Sequence, residues 1–188
     1  MTREKAWELL GQHLHEQPNI FHSLESEAII RALARKFGED EERWGIIGLL
    51  HDVDWEETME KPELHGVRCQ EILRDAGADE EMISVIVSHV YGHGSFADKA
   101  RTEKTEHALA AAETITGLIF ASALVHPEKK LSSVVQVKSI KKKMKDKSFA
   151  AKVNRDVIRE CEKIGISVDE FIELSLGAMQ GIADKIGL

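Results

Sequence analysis

The chain has 188 residues and a formal net charge of -8. This length suits one well-buried domain, and no Gly-, Ser- or Pro-rich linker divides it, so we predict a single domain over residues 1–188. The negative charge argues against general nucleic-acid binding, since polyanion binders usually present a basic face. Cys69 and Cys161 are too few for a disulfide scaffold or a thiolate zinc cluster, and they indicate a reducing compartment.

The composition favours an all-α protein. Ala, Leu, Ile, Glu and Lys are frequent, and only three prolines occur, which predicts a compact bundle of eight or nine helices. The apolar run 108–125 approaches the length of a membrane span, but Glu113 and neighbouring polar residues interrupt it, which favours a buried central helix. The N-terminus has no apolar stretch after its charges, so we predict a cytoplasmic protein without membrane association.

Capping residues and helix breakers predict the helix boundaries in chain order. The first six helices are predicted over residues 2–15, 20–37, 40–50, 62–77, 79–91 and 105–124. A lysine-rich helix is predicted to start at Ser132 or Ser133, and Ser148 is predicted to cap the next. Ser167 and Glu170 have the spacing of a capping box and predict the start of the last helix.

The pair His51-Asp52 lies at the polar end of an apolar stretch and has the character of a metal site. His22, His51 and His89 share helical faces with apolar residues, so their imidazoles are predicted to point inward. Glu113 lies alone among apolar neighbours, where a carboxylate needs a proton, a partner or a cation. Imidazoles and carboxylates from different helices can bind one divalent ion, and this set suits Mn, Fe, Co, Ni or Zn.

Other interpretations of these residues stay open at this point. Taken singly, each histidine is more often a structural residue than a ligand, and Glu113 could pair with a buried Arg or Lys. The remaining histidines lack comparable support, although His93 lies between glycines and could approach the site. These unassigned residues are His13, His15, His93, His107 and His126.

The order His22, His51-Asp52, His65, His89 and an acid at position 113 resembles the HD-domain metal-dependent phosphohydrolases. The chain is similar to the small stand-alone bacterial HDIG-related members through the segment WGIIGLLHDVDWE at 44–56 and through TGLIFA after Glu113. The resemblance implies an all-α HD bundle with one or two divalent transition metal ions. It also implies hydrolysis of a phosphomonoester or a phosphodiester.

The resemblance also assigns roles to individual residues. His22, His51 and Asp52 would bind one ion, and His65 and His89 would bind a possible second ion that Asp52 bridges. Glu113 stands where the family has an aspartate as the closing ligand. Two other positions depart from the family pattern, because Asp54 replaces the motif glycine and Trp55 replaces a lysine that often follows.

The expected partner is a small phosphorylated substrate, with a nucleotide as our guess. Asp52 would act at the reacting centre as a ligand, while Asp54 and Glu56 are candidates for proton transfer or for orienting a ligand. The alternative for these two acids, which we favour slightly, is a solvated loop position. Lysines 138, 141, 142, 143, 145 and 147 form a basic cluster that we interpret as a solvated helix face, although one of them could bind phosphate.

Two rival functions remain. In one, the bundle is a non-catalytic metal- or nucleotide-binding module that signals to a partner, and Glu113 and Asp54 are its best support. In the other, the histidines are purely structural. Retention of five histidine and aspartate positions favours the enzyme, since a binding module does not need a complete water-activating set.

Overall fold

A computed structural model describes residues 1–131 and 135–188. These residues form α-helices joined by short 3₁₀ turns, without a strand, which confirms the all-α prediction. The helices are α1 (Arg3–His13), α2 (Gln17–Phe37), α3 (Glu41–Leu50), α4 (Trp55–Thr58), α5 (Val67–Asp75), α6 (Glu80–Val87), α7 (Lys104–Leu124), α8 (Val137–Lys145), α9 (Arg155–Ile158) and α10 (Val168–Gln180). The 3₁₀ turns are Pro62–Leu64, Ser88–Val90, Gly94–Phe96, Arg159–Ile164 and Ala183–Ile186.

Helix α7 lies at the centre of the bundle. It packs against α2, α3, α6, α8, α9 and α10, and the described apolar side chains form one hydrophobic core around it. By length and composition α7 would also fit a membrane span, but 67% of its most apolar window is buried within the protein. The predicted central helix is therefore present, while the lack of membrane association stays a prediction.

Most of the predicted helix ends are correct. Thr2, Asp40, Asp79 and Ser167 each accept a hydrogen bond from a first-turn backbone N–H, as N-cap residues do. Gly38 ends α2 with a φ of 70°, the left-handed conformation that glycine adopts without steric cost. The Glu170 carboxylate accepts a hydrogen bond from Lys36, so only the Ser167 half of the predicted capping box forms.

Three predicted boundaries differ from the structure or lie outside it. The second helix, predicted from residue 20, begins at Gln17 with Pro18 in its first turn, because that turn does not use the N–H that proline lacks. Ser148 caps no helix, since its backbone N–H and its hydroxyl both donate to Asp146; Asn154 caps α9 instead. The predicted start at Ser132 or Ser133 lies outside the described residues.

The predicted helix over 62–77 is divided at Gly66. Gly66 has a φ of 81°, and a Cβ atom there would lie 2.6 Å from Cγ2 of Val90. Both constraints favour glycine. The break places His65 in the connection between a 3₁₀ turn and α5, outside both helical segments.

Glu25 on α2 is an unusual buried acid. Glu25 is only 3% exposed, and its Oε1 atom has no hydrogen-bond partner within the described residues. Burial raises the pKa of Glu25 from 4.5 to about 8. The carboxyl group is therefore mostly protonated at neutral pH in the folded protein.

The raised pKa of Glu25 predicts a pH-dependent stability. Between pH 4.5 and 8 the folded protein binds a proton that the unfolded chain releases, so this stabilisation is complete below the lower value and is lost as pH rises through the upper one. As pH rises from 5 to 8, wild type should lose on the order of 3 kcal/mol of unfolding free energy relative to Glu25→Gln. Urea unfolding at both pH values measures this loss.

The matched control for Glu25 is the exposed Glu173 on α10. Its replacement by Gln should leave the pH profile of the unfolding free energy unchanged. Parallel profiles for wild type and Glu25→Gln would contradict the assignment of a raised pKa to Glu25.

Candidate metal centre

Four histidines from separate segments converge beside α7. His22 lies on α2, His51 follows α3, His65 precedes Gly66, and His89 lies in the 3₁₀ turn after α6. The Nε2 atoms of His22 and His51 are 3.0 Å apart, and those of His65 and His89 are 3.1 Å apart. The histidines therefore form two facing pairs.

Hydrogen bonds at Nδ1 orient the four rings. His51 donates to the Gly48 carbonyl at 2.9 Å, and His89 donates to the Ile86 carbonyl at 2.6 Å. His65 donates to Asp54 Oδ1 at 2.9 Å.

The fourth ring, His22, has its Nδ1 3.0 Å from the Thr116 hydroxyl, which itself donates to the Glu113 carbonyl at 2.6 Å. This arrangement makes Nδ1 the donor in each ring. In the neutral form of each ring it leaves Nε2 with the free electron pair, as in metal-binding histidines.

Asp52 lies between the two histidine pairs and offers one carboxylate oxygen to each. Its Oδ2 atom is 3.6 Å from His22 Nε2 and 3.5 Å from His51 Nε2. Its Oδ1 atom is 3.4 Å from His65 Nε2 and 3.1 Å from His89 Nε2. Asp52 therefore lies within reach of both histidine pairs.

Glu113 on α7 joins the first histidine pair. Ligand atoms of His22, His51 and Glu113 lie within 4.8 Å of one another, as do those of Asp52, His65 and His89. The structure thus brings together all six candidate ligands in two sets of three. Burial raises the pKa of Glu113 to about 7, as expected for an acid in apolar surroundings.

The donor atoms fit a cation. Two Nε2 electron pairs that face each other at 3.0 Å repel unless a proton or a cation lies between them. Burial lowers the pKa of His51 to about 3, so the neutral, metal-binding form of this ring is favoured. At the other pair, burial opposes a charge, yet the carboxylates of Asp52 and Asp54 raise the pKa of His65 to about 10. The electrostatic field there favours positive charge.

Asp54 does not have the catalytic or solvated position that the sequence suggested. It is fully buried, and it accepts hydrogen bonds from His65 Nδ1 at 2.9 Å, from the Gly66 N–H at 2.8 Å and from the Cys69 N–H at 2.9 Å. These bonds engage both oxygens, and Asp54 does not line the cavity beside the histidines. It is a positioning residue for the His65 ring.

Glu56 is neither part of this centre nor a free loop acid. Its carboxylate accepts hydrogen bonds from the backbone N–H groups of His15 and Glu16 and from the side chain of Asn19. Glu56 therefore lies outside the candidate centre, half-exposed on the short helix α4. It connects the chain after α3 to the start of α2.

A partly buried ion-pair network, which the sequence did not predict, supports His89. Arg101 donates to the Ser88 carbonyl at 2.9 Å, and its other nitrogen atoms contact both oxygens of Glu160 at 2.8 and 2.7 Å. His107 Nδ1 lies 2.6 Å from the same carboxylate. The network fixes the turn that carries His89, and a separation of 59 residues between Arg101 and Glu160 leaves no local signal.

A cavity of about 720 Å³ opens at the histidine cluster. This volume is typical of small-molecule sites. Its lining includes the unassigned His93 and Lys152, but none of lysines 138–147. In that cluster Lys141 pairs with Asp169, and Lys143 lies over the Phe149 ring, which agrees with a largely structural or solvated face.

The family model described as the HD domain matches residues 19–123. The chain belongs to the HD domain family. No curated protein and no solved structure matches it. The matched segment of this HD domain protein contains all six candidate ligands, and the family is one of metal-dependent phosphohydrolases.

Proposed function

We propose that this HD domain protein hydrolyses a phosphomonoester or phosphodiester with the help of one or two divalent transition metal ions. The observation that carries the proposal is Asp52, whose two oxygens each lie within 3.1 to 3.6 Å of a separate histidine pair. His22, His51 and Glu113 would hold one ion, and His65 and His89 the other. When bound, such ions lower the pKa of a water molecule and neutralise phosphate charge.

The residues of the chain prepare the site for this reaction. Hydrogen bonds at Nδ1 fix the tautomer of each histidine, and Asp54 and Thr116 hold His65 and His22 in place. Asp52 supplies the negative charge at the centre, and the cavity lies directly against His22, His65, His89 and Glu113. A phosphate group entering the cavity therefore meets the ligand cluster.

The alternative is a non-catalytic module that binds metal or a nucleotide and signals to a partner. Asp54 no longer supports it, because this residue orients His65 at the site. Glu113 remains its main support. The two proposals differ in turnover and not in metal binding, so a hydrolysis screen separates them.

We expect protein purified without chelator to contain one or two transition metal ions per chain and to hydrolyse at least one phosphate ester. Elemental analysis after reconstitution with Mn, Fe, Co, Ni or Zn measures the first property. A screen of phosphomonoesters and phosphodiesters, nucleotides included, measures the second. Metal binding without turnover would favour the signalling module, and absence of metal would leave the histidines as structural residues.

A further inference from the structure

One wall of the cavity comes from a segment beyond the matched HD domain. The lining includes Lys152, Val153, Asn154 and Val157, while the family model ends at residue 123. Asn154 is used as the N-cap of α9. The side chains of Lys152, Val153 and Val157 are therefore available to contact a molecule that enters the cavity.

The loop that carries Lys152 is built around one guanidinium group. Arg155 donates from one nitrogen to the carbonyls of Ala150 and Val153, both at 2.7 Å. Its other terminal nitrogen donates to the carbonyls of Phe149 and Asp146. These four bonds gather residues 146–153, which we name the Arg155 loop, into a fixed shape.

Helix α7 also contacts the Arg155 loop. A Cβ atom at Gly117 would lie 3.2 Å from Cγ2 of Val153, so glycine allows the loop to approach the helix that carries Glu113 and Thr116. Gly117 lines the same cavity. The loop is therefore placed against the metal centre by packing as well as by hydrogen bonds.

Lys152 and Arg101 both line the cavity, but only Arg101 is already paired with a carboxylate. The guanidinium of Arg101 is occupied by Glu160 and by backbone carbonyls, so it is not available to a ligand. Lys152 is exposed, and no carboxylate in the ranges 1–131 and 135–188 forms an ion pair with it. A lysine ammonium at such a position is a common phosphate ligand.

We propose that the Arg155 loop is the substrate-recognition element of this protein and that it selects phosphomonoesters. This inference rests on the proposed phosphohydrolase function. Lys152 binds a non-bridging phosphate oxygen, and Val153 contacts the adjoining organic group together with Val157 of the following helix α9. A monoester phosphate carries nearly two negative charges at neutral pH and a diester carries one, so an additional cation favours the monoester.

The test compares p-nitrophenyl phosphate with bis(p-nitrophenyl) phosphate as substrates of metal-loaded protein. Lys152→Met should lower kcat/KM for the monoester by about tenfold, the usual effect of losing one charge-assisted hydrogen bond, and should change the diester value little. Lys152→Arg should retain most monoester activity. Calorimetry with inorganic phosphate should show an affinity about tenfold weaker for Lys152→Met.

Lys147→Met is the matched control, because Lys147 is also exposed but does not line the cavity. It should match wild type in both assays. Equal activity and equal phosphate affinity of Lys152→Met and wild type would overturn the role of Lys152, even where both esters are hydrolysed. Failure of metal-loaded wild type to hydrolyse either ester or any compound in the wider screen would instead overturn the proposed function.

Discussion

Asp52→Asn is expected to abolish most phosphate-ester hydrolysis while the helical bundle stays folded. Asparagine keeps the size of the side chain but removes the negative charge that lies between the two histidine pairs. We expect activity to fall by a factor on the order of a hundred or more, which corresponds to about 3 kcal/mol of lost electrostatic stabilisation. Turnover of the best substrate, measured in excess metal beside circular dichroism melting, gives both quantities.

The control for Asp52 is Asp75→Asn, since Asp75 is an exposed acid on α5. It should leave turnover and melting unchanged. A folded, metal-loaded Asp52→Asn protein with wild-type turnover would remove the catalytic assignment. A large loss of stability with unchanged weak turnover would instead favour a purely structural carboxylate.

Much of the candidate site could be predicted because its donors follow local patterns. His22, His51 and His89 share faces with apolar residues, so their inward direction follows from helical periodicity. Glu113 is conspicuous as an acid in an apolar run. Periodicity alone does not give the grouping of Glu113 with His22 and His51, because it depends on how α7 packs against α2 and α3; only the family resemblance implied it.

The residues that support the site lacked such patterns. Asp54 was interpreted as a loop acid because nothing nearby shows that the backbone of Gly66 and Cys69 returns to it. Lys152 follows a lysine-rich helix and resembles any solvated lysine until Arg155 folds its loop against α7. In both cases a tertiary contact gives a polar residue its role, and composition and periodicity do not report tertiary contacts.

The helix ends also divide into those that the local sequence predicts and those that depend on tertiary contacts. Thr2, Asp40 and Asp79 cap helices as predicted, because capping depends on a few neighbouring residues. Gly66 looked compatible with a continuous helix. Its need for glycine shows only in the folded chain, where its N–H donates to Asp54 and a Cβ atom would lie 2.6 Å from Val90 Cγ2.

Gly48→Ala is expected to disrupt the candidate ligand set of His22, His51 and Glu113 and to destabilise the protein. A Cβ atom at Gly48 would lie 2.6 Å from Cγ2 of Ile30 and 2.9 Å from the Ser26 carbonyl oxygen, and both atoms belong to α2. The backbone atom cannot rotate away, so α2 and α3 must separate. Such overpacking costs about 1 to 3 kcal/mol. The same shift would separate His22 on α2 from His51 after α3.

The decisive measurements for Gly48→Ala are metal content per chain and the midpoint of urea unfolding. Gly11→Ala is the matched control, because a Cβ atom at Gly11 in α1 meets no atom within 4 Å. This control should gain about 0.5 to 1 kcal/mol from better helix propensity and should bind metal as wild type does. Wild-type metal content in Gly48→Ala would contradict the argument, since it would mean that the 3.0 Å approach of His22 to His51 does not depend on the close contact between the two helices.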